Sequence, residues 1–288
     1  MDIAKCEVLL RAIDLGSFSA AAAKLGYTPS GVVRMVNSLE AEVGFPLVSR
    51  NSHGIMLTEN GREMLPMFRQ LSYWHEMARQ RSSAIRGLDM GNLDIGTYFS
   101  VAAGWLPEII KQFQADYPHI TIHTMEAGTS ELIHWVEERR VDFSILSKRD
   151  MRGEWISLKK DPMMVWLPKS HKLARLDAVP VRALEGESFI MPMPRMKNDT
   201  EKLLADDGVY PDIKFTTIDN YTAYCMVGAG LGISINNELM TRDWTGNVVI
   251  KPLDPPHYIE LGISISSYKD ASPAAQKFIT YIRRNVQE

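Results

Sequence analysis

A chain of 288 residues, 45% hydrophobic and 23% charged, has the composition of a folded globular protein of two or three domains rather than a disordered or fibrous one. Its net charge of −3 excludes a broadly basic surface, and two widely separated cysteines, Cys6 and Cys225, exclude a disulfide framework and point to a reducing, cytoplasmic setting. No run of roughly 18 apolar residues occurs and the first residues lack the apolar core and cleavage site of an export signal, so neither a membrane span nor export is expected.

The first predicted elements are short helices. Cys6 shares a helical stripe with Ile3, Leu9 and Ile13 and reads as a buried thiol. In "SFSAAAAKLGYTPSG", from Ser17, the alanines let two helices approach closely, and Gly26 supplies a tight turn. Pro29 stands where a new helix starts and its missing N–H costs nothing. Val32, Val36 and Leu39 then form an i, i+4, i+7 stripe that leaves Ser30, Val33, Arg34 and Asn37 on the opposite face. Two such helices read as a helix-turn-helix whose second member enters a DNA groove, although an enzyme's helical hairpin would have the same composition. Within residues 1–65 six basic side chains face seven acidic ones, so position rather than total charge must carry the case.

"FPLVSRNSHGIMLT" follows, with two apolar arms around a polar tip, a wing that would lay Arg50 and His53 against a minor groove. Thr58 can cap a long helix over Glu59 to Arg86. On it Met64, Phe68, Leu71, His75, Ala78, Ser82 and Ile85 alternate spacings of four and three, the seam of a dimerising coil, with Pro66 bending its first turns. About 28 residues at ~1.5 Å each exceed what a small domain needs for its own core. "RGLDMGN" reads as a hinge.

From Asn92 strands alternate with helices: "NLDIGTY", "VAAGWLPEIIKQFQADY", "ITIHTMEA", "TSELIHWVEERR", "VDFSILS". "EWISLKKDPMMVWLP" reads as a strand crossing to a second unit. That unit holds strands "ESFIMP", "DIKFTTID" and "GLGISI" and helices at about 198–206 and 221–227. "YIELGISISS" returns to finish a sheet and "SPAAQKFITYIRRNVQ" closes the chain as an amphipathic helix. The expected fold is α/β, with an N-terminal winged helix-turn-helix over 1–58, a linker helix and hinge over 59–91, and two α/β lobes over 92–288. Lobe 1 covers about 92–161 and 265–288, and lobe 2 about 162–264. Two such lobes form a cleft at the carboxyl ends of their strands, where small ligands bind. Tyr98, Ser100, Val101, Gly128, Thr129, Ser130, Ser147, Met191, Asn220 and Tyr221 are the expected lining. Helix N-termini with hydroxyl donors beside aromatic walls suit a small carboxylate with an apolar or aromatic body.

Three clusters, "GSFSAAAAKLG", "VVRMVNSLEAEVGFPLVSR" and "LTENG", with "VGAGLGISI" further on, make the whole chain resemble the LysR-type transcriptional regulators. The resemblance implies a DNA-binding homo-oligomer, a dimer or a tetramer, that binds operator DNA, takes a small inducer in the cleft of a periplasmic-binding-protein-like domain and works with RNA polymerase. Thr28, Pro29, Ser30, Val33, Arg34, Asn37, Arg50 and His53 are the expected DNA contacts. Pro29 and Val33 depart from the family's polar choices, and Val33 could meet a thymine methyl.

Other classes fit less well. Gly228, Gly230 and Gly232 are spaced G-x-G-x-G and run from helix to strand, the reverse of a dinucleotide fingerprint. His119, His123 and His134 lack a ligand pair beside them, so no metal or cofactor is expected. Cys225 is alone in its domain, unlike a thiol sensor's pair. No nucleophile elbow, P-loop or HExxH supports catalysis. A solute-binding module without DNA affinity is the competing class, and it leaves residues 1–90 unexplained.

Overall fold

Three polar side chains begin the first three helices by accepting from an N–H two or three residues on. Asp2 takes Ala4, Ser17 takes Ala20 and Thr28 takes Gly31, at 3.0, 3.3 and 3.1 Å. They open α1 (Ile3–Asp14), α2 (Phe18–Leu25) and α3 (Pro29–Val43), followed by hairpin strands β1 (Val48–Asn51) and β2 (Gly54–Leu57) and by α4 (Glu59–Ile85). This computed structural model describes residues 1–51, 54–87, 89–194, 198–241 and 244–286, apart from the side chains of 50 and 51. The chain divides into two compact units, one of Met1–Gly91 with Glu138–Arg140 and one of Asn92–Glu137 with Val141–Glu288.

In the first unit, Cys6, Leu9, Ala21, Val32, Val36, Leu39, Leu47 and Phe68 form one core. The hairpin is bound to that core by polar groups. The Glu40 carboxylate accepts from the N–H groups of Leu47 and Val48 at 2.7 and 3.1 Å. Thr58 caps α4 through Gly61 N–H at 2.9 Å and donates to the Pro46 carbonyl at 2.8 Å.

The linker helix corrects one expectation. It runs on through Pro66 as one helix of 27 residues, but Phe68 is fully buried in the first unit's core and cannot belong to an outer seam. His75, Ala78 and Ser82 are exposed. The large apolar side chains in water on this helix are Leu71 and Ile85 of the expected seam together with Met67 and Trp74, which lie outside it. Met67, Leu71, Trp74 and Ala78 are spaced four, three, four, so a heptad row exists that keeps Leu71 and Ala78 from the expected seam and has Met67 and Trp74 in place of Phe68 and His75.

The second unit contains β3 (Gly91–Thr97), α5 (Phe99–Ala103), α6 (Leu106–Asp116), β4 (Ile120–Glu126), α7 (Thr129–Glu137), β5 (Phe143–Ser147) and β6 (Glu154–Pro168). Then come β7 (Val179–Pro180), β8 (Ser188–Pro192), α8 (Asp199–Asp207), β9 (Asp212–Thr217), α9 (Asn220–Gly228), β10 (Ser234–Asn237), β11 (Val248–Asp254), β12 (Tyr258–Ile265) and α10 (Pro273–Val286). The large sheet has the order β4-β3-β5-β12-β6-β11-β7, with β10 also on β6, and β8-β9 form a small parallel sheet. The first half of β6 pairs with β12, and the second half pairs with β10 and β11. Both lobes therefore share this strand. β12 joins β5 on one side, through Leu261–Ser264, and the first half of β6 on the other.

The segment expected as a single helix from Val101 to Tyr117 is two. The break falls at Gly104, the C-cap of α5, whose φ of −85° and ψ of −102° leave the helical region and where a Cβ would lie 2.6 Å from the Ser100 carbonyl oxygen. Pro107 in the first turn then restarts the chain as α6.

Gly61 generates a testable expectation. An added Cβ would meet the Leu47 carbonyl oxygen at 2.0 Å, and that obstacle is backbone that cannot swing away. Gly61→Ala should destabilise the first unit by about 1–3 kcal/mol or more. Urea titration read by hydrogen exchange in α1–α3 measures this, and an unchanged midpoint would refute it.

Candidate nucleic-acid interface and ligand cleft

On α3, burial of Val32, Val36 and Leu39 turns the other face outward. Thr28, Pro29, Ser30, Arg34 and Asn37 are exposed, and Ser30, Arg34 and Asn37 follow one another at i, i+4 and i+7. Val33 is half-buried and packs against the core, so only part of its methyl surface faces outward. Tyr27, 47% exposed at the turn between α2 and α3, joins the row. Its signal in the sequence was an aromatic residue placed immediately before the cap. Arg50 lies in β1 opposite Ile55, while its side chain and the whole of His53 fall outside the described residues.

The acidic side chains of this unit are largely engaged within it. Glu42 pairs with Lys5 and with the N-terminal ammonium, and the hydrogen bond from Lys5 holds its carboxyl below the usual value. Asp14 takes Arg69 at 3.0 Å, and Glu40 takes two backbone N–H groups. Among the described residues Arg34 makes no ion pair.

In the second unit a cavity of about 230 Å³ lies between the lobes. Tyr98, Ser100, Gly128, Thr129 and Asn220 line it, as do Phe99, Met163, Met193, Asn198, Asp199, Asn236, Asn237 and Met240. Five other expected residues lie elsewhere. Helical and strand geometry turns successive side chains apart, which separates Thr129 from exposed Ser130, Asn220 from Tyr221, and Pro192 from buried Met191. Tyr221 is 53% exposed and meets Trp244 edge-on with centroids 5.2 Å apart. Val101 is fully buried in the core. Ser147 acts from behind the wall through its bond to Tyr98.

The polar chemistry is concentrated at one end. Tyr98 Oη lies 2.6 Å from Thr129 Oγ1 and 2.9 Å from Ser147 Oγ. Burial, helped by the Asp199 charge, pushes the Tyr98 phenol up to about 12, so it keeps its proton at neutral pH. Ser147 donates to Asp199 Oδ1 at 2.9 Å, and the Arg149 guanidinium binds the same oxygen. Ser100 Oγ is buried with no hydrogen-bond partner. Gly128 and Thr129 at the start of α7 and the caps of α8 and α9, Asn198 and Asp219, also border the cavity, which sets positive helix-dipole ends at its wall. Nearby, the Asp161 carboxylate on β6 accepts from Asn237 Nδ2 at 2.6 Å, and burial raises its pKa. Among the described residues no group of three or more His, Cys, Asp or Glu is placed to hold a metal ion.

A helix-turn-helix unit in one chain with a two-lobed ligand cleft defines a ligand-responsive, DNA-binding transcriptional regulator. The sequence profile of the LysR substrate binding domain matches residues 86–287, and that of the bacterial regulatory helix-turn-helix protein, lysR family, matches residues 3–62. The chain belongs to the LysR family of bacterial transcriptional regulators. It is 30% identical to the HTH-type transcriptional regulator YvbU of Bacillus subtilis, over 97% of both chains. Full-length OxyR C199D from Pseudomonas aeruginosa shares its fold, with a TM-score of 0.73, 16% identity and coverage of 100% and 98% of the two chains. Full-length CbnR complexed with its target DNA does so with a TM-score of 0.57 and 18% identity over 99% of both. No described helix is long and apolar enough to cross a membrane.

Ser100 gives an expectation for the protein without ligand. A buried hydroxyl lacking a partner costs roughly 1–3 kcal/mol, so Ser100→Ala should leave the melting temperature unchanged or raised. A fall worth more than about 1 kcal/mol would show that the hydroxyl supports the fold.

Proposed function

We propose that the α3 face of Thr28, Pro29, Ser30, Arg34 and Asn37, with partly buried Val33 and the wing residues Arg50 and His53, reads operator DNA. A small carboxylate with an apolar or aromatic body, bound in the cleft, controls that binding. The buried, unpartnered hydroxyl of Ser100 on the cavity wall carries the ligand half of this reading. A ligand acceptor would satisfy it, Thr129 and the free N–H groups at the start of α7 would share the charge, and Phe99, Met163 and Met240 would take the body. The cavity's own carboxylates leave room for an anion. Asp199 is neutralised by Arg149 and Asp219 is occupied by the Thr222 N–H at 2.6 Å, while Glu126 is exposed. For the DNA half, Arg34 contributes a charge without an ion-pair partner among the described residues, placed where a base edge or phosphate would meet it. Regulation at a promoter makes RNA polymerase the machine whose access is controlled. Two free cysteines, Cys6 buried and Cys225 exposed, suit the reducing cytoplasm where such DNA lies.

The working form is a homo-oligomer assembled through α4. Leu71 and Trp74 stand in water at 39% and 49% exposure, adjacent members of the heptad row, and a second copy would cover them.

Titrating DNA from upstream of its own gene, at fixed salt and with a panel of small acids, tests the first reading. Arg34→Ala should lose about 1–3 kcal/mol of affinity. Ser100→Ala should keep the affinity and lose the response to acids; unchanged affinity in the first, or an intact response in the second, refutes the corresponding half. For the second reading, Leu71→Glu with Trp74→Glu places unpaired charge on the row and should yield monomers by sedimentation. Assembly like that of the parent chain would locate the contact elsewhere.

A further inference from the structure

The hydroxyl groups behind the cleft form a chain with a defined direction. A carboxylate only accepts, so the single proton of Ser147 is committed to Asp199. The Ser147 oxygen must then accept from Tyr98, which uses the only proton on the phenol. That leaves Thr129 to supply the proton of the 2.6 Å bond to Tyr98. In the ligand-free molecule the order is therefore Thr129 to Tyr98 to Ser147 to Asp199. One end of this chain is on the cavity wall, beside the unpartnered Ser100 hydroxyl. The other end crosses between lobes, from Ser147 at the end of β5 to Asp199 in the first turn of α8.

We propose that a ligand acceptor taking the protons of Ser100 and Thr129 reverses this chain and thereby loosens α8 from lobe 1. Once Thr129 donates to the ligand, its oxygen faces that of Tyr98 at 2.6 Å with no proton between them. The phenol turns its proton to Thr129, Ser147 turns its own to Tyr98, and Asp199 keeps only Arg149. Each group still carries one proton and no covalent bond changes; the whole difference is one hydrogen bond lost between the lobes. Ligand chemistry thus selects the signal, because a group that only donates cannot take the proton of Thr129. Tyr98 is the coupling residue, and Ser147 with Asp199 is the contact it controls. The inference rests on the cleft being the ligand site.

Hydrogen exchange on the full chain, comparing ligand-free protein with saturating benzoate and with benzylamine (a donor of similar size), tests it. Benzoate should speed exchange across 198–207 about fivefold, the ratio expected for the net stabilisation of one hydrogen bond, and benzylamine should not. Ser147→Ala should reach that faster rate without ligand. Tyr98→Phe, which cuts the chain while keeping the ring, should show no acceleration by saturating benzoate beyond its own ligand-free rate. Acceleration in Tyr98→Phe equal to the parent chain's, an effect of benzylamine equal to benzoate's, or a parent-like rate in Ser147→Ala overturns the proposal. Protection of 126–132 reports occupancy of the cleft by itself. Benzoate that protects 126–132 without loosening 198–207 overturns the reversal and leaves the cleft reading standing; benzoate that changes neither segment overturns both.

Discussion

Strand β6 belongs to both lobes at once, and the geometry of the cleft follows from that sharing. Its 15 residues pair first with β12 and then with β10 and β11, so the lobes are joined through a ladder of backbone bonds rather than only through loops. Giving up part of such a ladder would expose buried polar backbone, which is costly. Relative motion of the lobes is thereby confined to flexing of the shared strand. Asp161 lies where the pairing changes hands, and its bond to Asn237 fixes the end of β10. Asn237 and its neighbour Asn236 then face the cavity from a position that this buried carboxylate sets.

A net charge of −3 looks poorly suited to a DNA-binding chain, and the structure shows why the sum misleads. Carboxylates that complete an ion pair are neutralised within a few ångströms, and one that accepts from backbone N–H groups keeps its charge but has its oxygens occupied. Glu42 and Asp14 pair with Lys5 and Arg69, Glu40 accepts from two backbone N–H groups, and Glu40 and Glu42 thereby hold α3 in place. Among the described residues Arg34 has no ion-pair partner, and screening at ordinary ionic strength confines each charge to its own short range. Local pairing, rather than the total, decides the field that an approaching phosphate meets.

The sequence made the recognition helix legible because both its ends and its buried stripe are local features. Thr28 caps it, Pro29 opens it, and Val32, Val36 and Leu39 repeat at helical spacing. The crossing strand was legible too, over the residues 154–168 that form it. Phe68 was not. Its spacing fitted a dimer seam as well as a core, and only the fold of α1–α3 around it decides between them. The break at Gly104 was not legible either, since glycine inside a helical pattern is often tolerated; here the Ser100 carbonyl oxygen, 2.6 Å from where a Cβ would sit, leaves no room for a larger residue. The cleft was half legible. Loops at strand ends gave Ser100, Gly128 and Thr129, but Met163, Asn198, Asp199, Asn236, Asn237 and Met240 reach the cavity through long-range pairing that no local pattern encodes.

The junction between the wing and α4 has a mechanical meaning. Thr58 bonds to the Pro46 carbonyl while capping the helix, and Gly61 lets that helix press against the Leu47 backbone with no side chain between them. Two rigid contacts within one turn leave no hinge at this joint. The long helix and the wing therefore form a single lever, roughly 40 Å from end to end along the helix axis. Whatever moves the far end of that helix changes the pitch of the wing at the near end.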